Sequence, residues 1–250
     1  MPRNRRTRPP ILPALLVLLV VLAGCKAATT GGAVGPDAIY QAPEYPTLKL
    51  ESLAYLGLAS VAQEHTAIPI VDQLLRSYLL GGQDKFVIVD VSAVQSRAIK
   101  EGLDKKLNSL ISGWQNGHSV DQLSVQALGQ TLGFDGFIFA DLTRWREEQV
   151  DWTSEGNSFT EVGITLSIYE SGSGQIAWQG EKLQREESIH YNRGDGAGSG
   201  VYRQEGTDAM RTERADKLAP EPPPAEEVAE KAVQNLIMGL PGRPGGTAKP

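Results

Sequence analysis

Apolar residues recur at helical spacing in three parts of the chain. They predict amphipathic helices over residues 68–80, 120–132 and 229–240. Gly81-Gly82 and Gly133 follow the first two helices and are typical of helix ends. The buried face of the middle helix is predicted to comprise Val120, Leu123, Ala127, Leu128 and Leu132.

Two short polar signals predict where helices begin. Ser92 with Gln95, and Ser119 with Gln122, have the spacing of capping boxes, in which the hydroxyl and the amide satisfy backbone groups at a helix N-terminus. The first pair predicts a helical stretch that is broken near Gly102. The second pair predicts the start of the middle helix.

Two segments in the first half of the chain have the composition of strands. The run 48–61 is largely apolar, and the run 86–89 is rich in β-branched residues and bounded by charged ones. We expect the second run to be a buried strand.

Three more strands are predicted to follow the middle helix as a meander. The first two strands are predicted over residues 137–142 and 162–169, where side chains of different kinds alternate between the two faces of the strand. A Ser-Gly-Ser-Gly sequence at 171–174 predicts a hairpin turn into the third strand. In that strand Ile176 and Trp178 are predicted to share a face.

The order of these elements predicts one α/β (α+β) domain over residues 47–240. Its mixed sheet is expected to carry helices packed on it and to end in the three-strand meander and a closing helix. Residues 186–223 are polar and are predicted to form a mobile loop within the domain. Residues 25–46 are predicted to be a flexible tether and residues 241–250 a disordered tail.

The first 25 residues have the order of an export signal. Four arginines precede an apolar run from Ile11 to Leu22, and the only cysteine of the chain, Cys25, follows. The run is about 12 residues long, whereas a helix needs roughly 20 to cross a bilayer. We therefore predict that residues 1–24 are a signal peptide and not a retained membrane span.

The segment Leu22-Ala23-Gly24-Cys25 resembles the lipobox of bacterial lipoproteins. The resemblance implies cleavage before Cys25, a diacylglycerol thioether on its sulfur and a further acyl chain, such as palmitate, on its amine, so that acyl chains hold the protein on a membrane. In that family the next residue helps to choose the membrane, and Lys26 in place of aspartate implies the periplasmic face of the outer membrane over the inner one. The alternative is an ordinary secretory signal that ends near a cysteine.

The charge balance excludes some classes of partner. The chain has 24 basic and 30 acidic side chains, and removal of the four arginines in residues 1–24 leaves a net charge of −10. Such an acidic protein is not expected to bind nucleic acid, because that requires a basic surface. With no cysteine after Cys25, the mature chain has neither a disulfide framework nor a thiolate metal site.

Two stretches of the predicted domain resemble the periplasmic α/β domain of the curli-secretion lipoproteins and several other outer-membrane lipoproteins. One is residues 127–140, where a glycine-ended helix leads into a strand, and the other is the hairpin at residues 162–178. The resemblance implies a role as a secretion channel, an assembly factor or an activator of cell-wall synthases. A channel is disfavoured, because residues 186–220 lack the alternating apolar positions of membrane strands.

The sequence indicates no catalytic residue, cofactor site or metal site. Its histidines, His65, His118 and His190, are far apart and have no spacing typical of a metal site or a catalytic triad. The glycines at 194–200 follow no strand that leads into a helix, so they do not fit a phosphate-binding loop. Glu147 and Glu148, near Asp151, are explained by a solvated strand end.

Aromatic and arginine residues indicate a protein-binding surface, which we predict is formed by the strand end 143–152 and the loop 186–220. Arg144, Trp145, Arg146 and Trp152 lie where the first meander strand leaves its apolar part, and both residue types are enriched at binding hot spots. The alternative is that the tryptophans cap the core. We expect a non-enzymatic binding or assembly factor with an envelope protein as its partner. The alternatives are an accessory subunit of an oligomeric outer-membrane secretion apparatus, which implies self-association, and a disfavoured periplasmic hydrolase.

Overall fold

The computed structural model describes residues 35–62, 64–81, 85–150, 157–188 and 221–242. Several predictions from the sequence fall outside these ranges. They concern the signal peptide and Cys25, the tether before residue 35, most of the loop 186–223, the tail after residue 242, and Asp151, Trp152 and His190.

The described residues contain one six-stranded sheet, with the strand order β1-β6-β5-β4-β2-β3. Strand β2 runs parallel to β3 and β4, whereas the β4-β5-β6 meander and the β1-β6 pair are antiparallel. The mixed sheet and the meander are as predicted. The strands are β1 (Ala38–Gln41), β2 (Ser52–Ser60), β3 (Val87–Val89), β4 (Gly136–Glu148), β5 (Phe159–Glu170) and β6 (Ile176–Glu187).

Helices pack on both faces of the sheet, which confirms the predicted α/β class. Helices α1 and α5 cover one face, and α2, α3 and α4 cover part of the other. No helix in the described ranges is long and apolar enough to cross a membrane. The helices are α1 (Ala67–Gly81), α2 (Val91–Lys100), α3 (Asp104–Gly117), α4 (Gln122–Leu132) and α5 (Ala225–Met238).

The central strand β4 supplies both layers of the core. Ile138, Ala140 and Leu142 pack under α1 and α5, while Phe137 and Phe139 pack under α2–α4. This is the two-faced pattern predicted from residues 137–142. Burying each phenylalanine contributes about 2–3 kcal/mol to folding, so the alternation along this strand fixes the two layers.

The tether prediction is wrong for residues 38–46. Residues 38–41 form β1, which pairs with β6, and Tyr45–Thr47 form a 3-10 helix whose tyrosine is buried in the core. Just before β1, Asp37 accepts hydrogen bonds from the Lys182 ammonium (2.8 Å) and the Leu183 amide (2.7 Å). Residues 38–41 are too short a segment to show the alternation of apolar and polar residues that predicts a strand. The structure identifies the strand by its pairing with β6.

The predicted capping boxes are also wrong, although helices do begin at both places. The N-cap of α2 is Asp90, whose carboxylate accepts from the Ser92 amide. The N-cap of α4 is Asp121, which accepts from the Ser124 amide. The observed cap of α4 lies two residues after Ser119, and Leu123 in the first turn of the helix is 72% exposed. The residues that α4 buries are Val125, Leu128, Gly129 and Leu132.

Two strand predictions need correction. Among the described strands β3 lies at the edge of the sheet next to β2, and Val87 is 57% exposed. In β6 the register shifts after the first residue, so that Ile176 pairs with Tyr169 and Trp178 pairs with Ile168. Because the shift places one extra residue between them, Ile176 and Trp178 lie on opposite faces.

Candidate functional site

Among the described residues, part of one sheet face has no helix packed over it. Helices α2, α3 and α4 contact mainly β2, β4 and β5, whereas the main helical contact of β6 is with α5 on the other face. The uncovered area spans β1, β6 and the adjoining ends of β4 and β5. We call one end of it the arginine strip, which comprises Arg144, Arg146, Phe159, Glu161, Leu183 and Arg185.

The register of the meander brings these side chains together. Arg146 of β4 pairs with Glu161 of β5, which pairs in turn with Arg185 of β6. In the next row Gly163 lies between Arg144 and Leu183. Side chains of directly paired residues lie side by side on one face, so the three arginines lie on the same face of the sheet as Glu161.

Glu161 is the buried centre of the strip and is only 4% exposed. Its Oε1 accepts a hydrogen bond from Arg144 Nη1 at 2.8 Å. Arg146 and Arg185 form ion pairs with Glu148 and Glu187 at the outer ends of their strands. The hydrogen bond from Asn157 and the bonds from Arg185 lower the pKa of Glu187.

Phe159 holds two of the guanidinium groups in place. The Arg185 guanidinium carbon lies 3.8 Å from its ring centroid and that of Arg146 lies at 5.2 Å. The arginine side chains are still about half exposed, and Leu183 beside them is 47% exposed. A guanidinium held over a ring loses less entropy when it binds, so the strip offers pre-organised donors around an apolar centre.

Trp145 does not lie on this surface. The register of β4 against β5 shifts between Leu142 and Arg144, so Arg144 faces the uncovered area and Trp145 packs against the core under α1 and α5. Gly163 permits the shift, because a Cβ there would lie 2.7 Å from the Thr143 hydroxyl. Of the predicted binding residues, the structure brings Arg144 and Arg146 together and places Trp145 in the core layer.

Sequence reasoning missed Phe159, Glu161, Leu183 and Arg185. One signal was present: the triplet Arg-Glu-Glu occurs at residues 146–148 and again at 185–187. Both triplets end strands that flank β5, so the repeat indicates a matched pair of arginines across that strand.

The described residues contain one histidine-carboxylate pair. His118 ends α3 in a left-handed conformation (φ 48°), and its Nδ1 lies 2.9 Å from Asp141 Oδ1. Burial raises the pKa of Asp141, and the hydrogen bond to His118 opposes this rise. Nucleophilic catalysis would need a hydroxyl or thiol bonded to this imidazole, and among the described residues the bond to Asp141 is the only one that His118 makes through its side chain.

The other chemical candidates do not form a site in the described ranges. His65 and Glu147 are exposed, and Glu148 is bound to Arg146. No group of three or more His, Cys, Asp or Glu side chains is arranged to hold a metal there.

Comparison with known proteins gives structural neighbours only. The sequence matches no protein-family model and no curated protein. Lipoprotein GNA1162 from Neisseria meningitidis is 16% identical with a TM-score of 0.38 over 58% of this chain and 88% of its own. A PelC dodecamer from Paraburkholderia phytofirmans is 8% identical with a TM-score of 0.41 over 81% and 98%. The LpoB C-terminal domain from Escherichia coli is 10% identical with a TM-score of 0.36 over 54% and 82%.

These neighbours include one protein described as a lipoprotein and one that forms a dodecamer. Their identities lie below 20% and their TM-scores below 0.5, so they establish no function for this chain. The resemblance to curli-secretion lipoproteins stays a prediction.

Proposed function

We propose that the protein is a lipoprotein held on the periplasmic face of the outer membrane by acyl chains on Cys25. In this proposal its domain acts without catalysis, as a binding or assembly factor that captures an envelope protein on the arginine strip. The anchor rests on the order of arginines, apolar run and Leu22-Ala23-Gly24-Cys25.

The arginine strip is the observation that carries the binding role. Arginine and aromatic residues around an exposed apolar centre are the composition of protein-binding hot spots. Leu183 supplies the exposed apolar centre, and Arg144, Arg146 and Arg185 supply forked donors that match carboxylates on a partner. The partner surface that fits best therefore presents an apolar side chain flanked by Asp or Glu.

Site-specific photocrosslinking in cells that naturally produce the protein tests this role. A photoreactive phenylalanine analogue replaces Leu183 in the full chain, and the products are identified by mass spectrometry. We expect one reproducible envelope protein to be attached. Arg185→Ala in the same chain should lower the yield of that product at least about fivefold, because a hot-spot residue contributes more than about 1 kcal/mol to binding.

The matched control places the same analogue at Leu123, an exposed leucine of α4 that lies outside the strip. The same product from both positions, or none from position 183, contradicts the proposal. A product joining two copies of this chain assigns the strip to self-association and contradicts it as well.

A further inference from the structure

A recess lies beside the N-terminus of α4, at the end of the uncovered sheet face opposite the arginine strip. It has a volume of about 500 Å³. We call it the tyrosine-glutamine groove. It is lined chiefly by Tyr40, Gln122, Tyr169, Gln175, Ile176 and Gln179.

Three strands and one turn build the groove. Tyr40 of β1 pairs with Gln179 of β6, and Tyr169 of β5 pairs with Ile176 of β6. The turn between β5 and β6 closes one side, because Gly174 (φ +69°) packs so tightly on α4 that a Cβ would lie 2.5 Å from the Gln122 carbonyl oxygen. The floor is therefore fixed by backbone pairing and not by loop residues.

Side-chain contacts also hold the floor in position. Gln179 Nε2 donates a hydrogen bond to Ser167 Oγ at 3.1 Å, which fixes the orientation of the Gln179 side chain. The Tyr169 ring packs edge-on against Phe139 at a centroid distance of 5.4 Å, while Tyr40 is 51% exposed at the outer wall. One ring is thus fixed in the floor and the other is accessible to a ligand.

The lining of the groove is neutral. None of the lining residues, all of which the structure describes, carries a charge. Phosphates and carboxylates are bound most strongly by charged donors, and metal ions by ionised ligands, so the uncharged lining of the groove favours a neutral ligand. Its polar groups are two phenols and three primary amides, and each of these can both donate and accept a hydrogen bond.

We infer that the tyrosine-glutamine groove binds a neutral oligosaccharide. Each sugar hydroxyl both donates and accepts, so it pairs with phenols and amides in either orientation, and the C–H face of a pyranose ring packs on an exposed tyrosine ring. The volume lies within the range of small-molecule sites. This binding goes beyond the proposed protein capture and does not depend on it, because the two surfaces share no residue.

Calorimetric titration tests the inference on the full chain in a zwitterionic detergent, since sugar-based detergents would compete. The probes are three neutral tetrasaccharides, namely chitotetraose, cellotetraose and maltotetraose. We expect at least one of them to bind, and Tyr40→Ala to weaken that binding about tenfold. The matched control is Ile39→Ala, because Ile39 is equally exposed (55%) on the same strand but faces the other side.

Gln122→Ala provides a second test at the opposite wall, on an exposed side chain whose loss leaves the sheet intact. It should weaken binding as Tyr40→Ala does. The inference is overturned if none of the three tetrasaccharides binds at about 10 mM, a concentration that detects even millimolar affinity. Equal weakening by Ile39→Ala and Tyr40→Ala overturns it too, because the binding would then not depend on the groove.

Discussion

Gly129 of α4 lies directly against the Ser171 side chain of the β5–β6 turn. A Cβ at position 129 would overlap both Cβ and Oγ of Ser171. Glycine inside a helix normally costs about 0.5–1 kcal/mol relative to alanine, so its presence here reflects this close approach.

We predict that Gly129→Ala lowers the free energy of unfolding by about 1–3 kcal/mol, because overpacking outweighs the gain in helix propensity. Urea denaturation measures the change. Gly113→Ala in α3 is the control, since a Cβ there meets only Ser119 O at an ordinary 3.6 Å. It should raise the free energy of unfolding by about 0.5–1 kcal/mol. An equal gain at both positions would show that α4 and the turn are not packed together.

Single residues also explain why the helix starts could be placed only approximately. Asp90 and Asp121 cap α2 and α4, while serines with correctly spaced glutamines lie within two residues of each aspartate. Aspartate and serine are almost equally good caps, so the sequence alone does not choose between them. The helices were predictable, but the exposed position of Leu123 was not.

Strand β1 is only four residues long, so the hydrogen bonds that Asp37 accepts just before it contribute to the stability of this sheet edge. Asp37→Ala removes the acceptor for both the Lys182 ammonium and the Leu183 amide. We predict that this change lowers the free energy of unfolding by about 1–3 kcal/mol, as measured by urea denaturation.

The comparison variant is Asp37→Asn, which keeps one carbonyl oxygen as an acceptor. About half of the loss should remain in that variant. If Asp37→Ala leaves the unfolding midpoint unchanged, β1 contributes no stability through this contact.

The register shift in β4 explains why the sequence predicts the position of the arginine strip along the strand but not the residues that form it. Simple alternation from Ile138 would place Arg144 under α1 and α5 and Trp145 on the opposite face. The extra residue between Leu142 and Arg144 reverses both positions. The sequence therefore indicated the correct strand end. It could not indicate which of the neighbouring residues faces outward, because that depends on Gly163 in the opposite strand.

For the whole molecule, the anchor is the feature with the clearest test. We predict that the full chain from membranes carries acyl groups on Cys25 and that Cys25→Ser abolishes this modification. The measurement is mass spectrometry of the N-terminal peptide, together with fractionation of membranes. Ser171→Ala, which retains Cys25, serves as the control and should stay in the membrane fraction. An unmodified wild-type chain would refute the anchor.

The pairing of β1 with β6 also determines when the sheet can be completed. Asp37 beside β1 and Lys182 in β6 are 145 residues apart, whereas the β4-β5-β6 meander joins neighbours in sequence. Local pairs form early in folding and distant pairs form late, because a long loop must close first. Strand β1 therefore waits for a strand that is synthesised much later. This edge of the sheet can therefore close only when the chain has been made as far as β6.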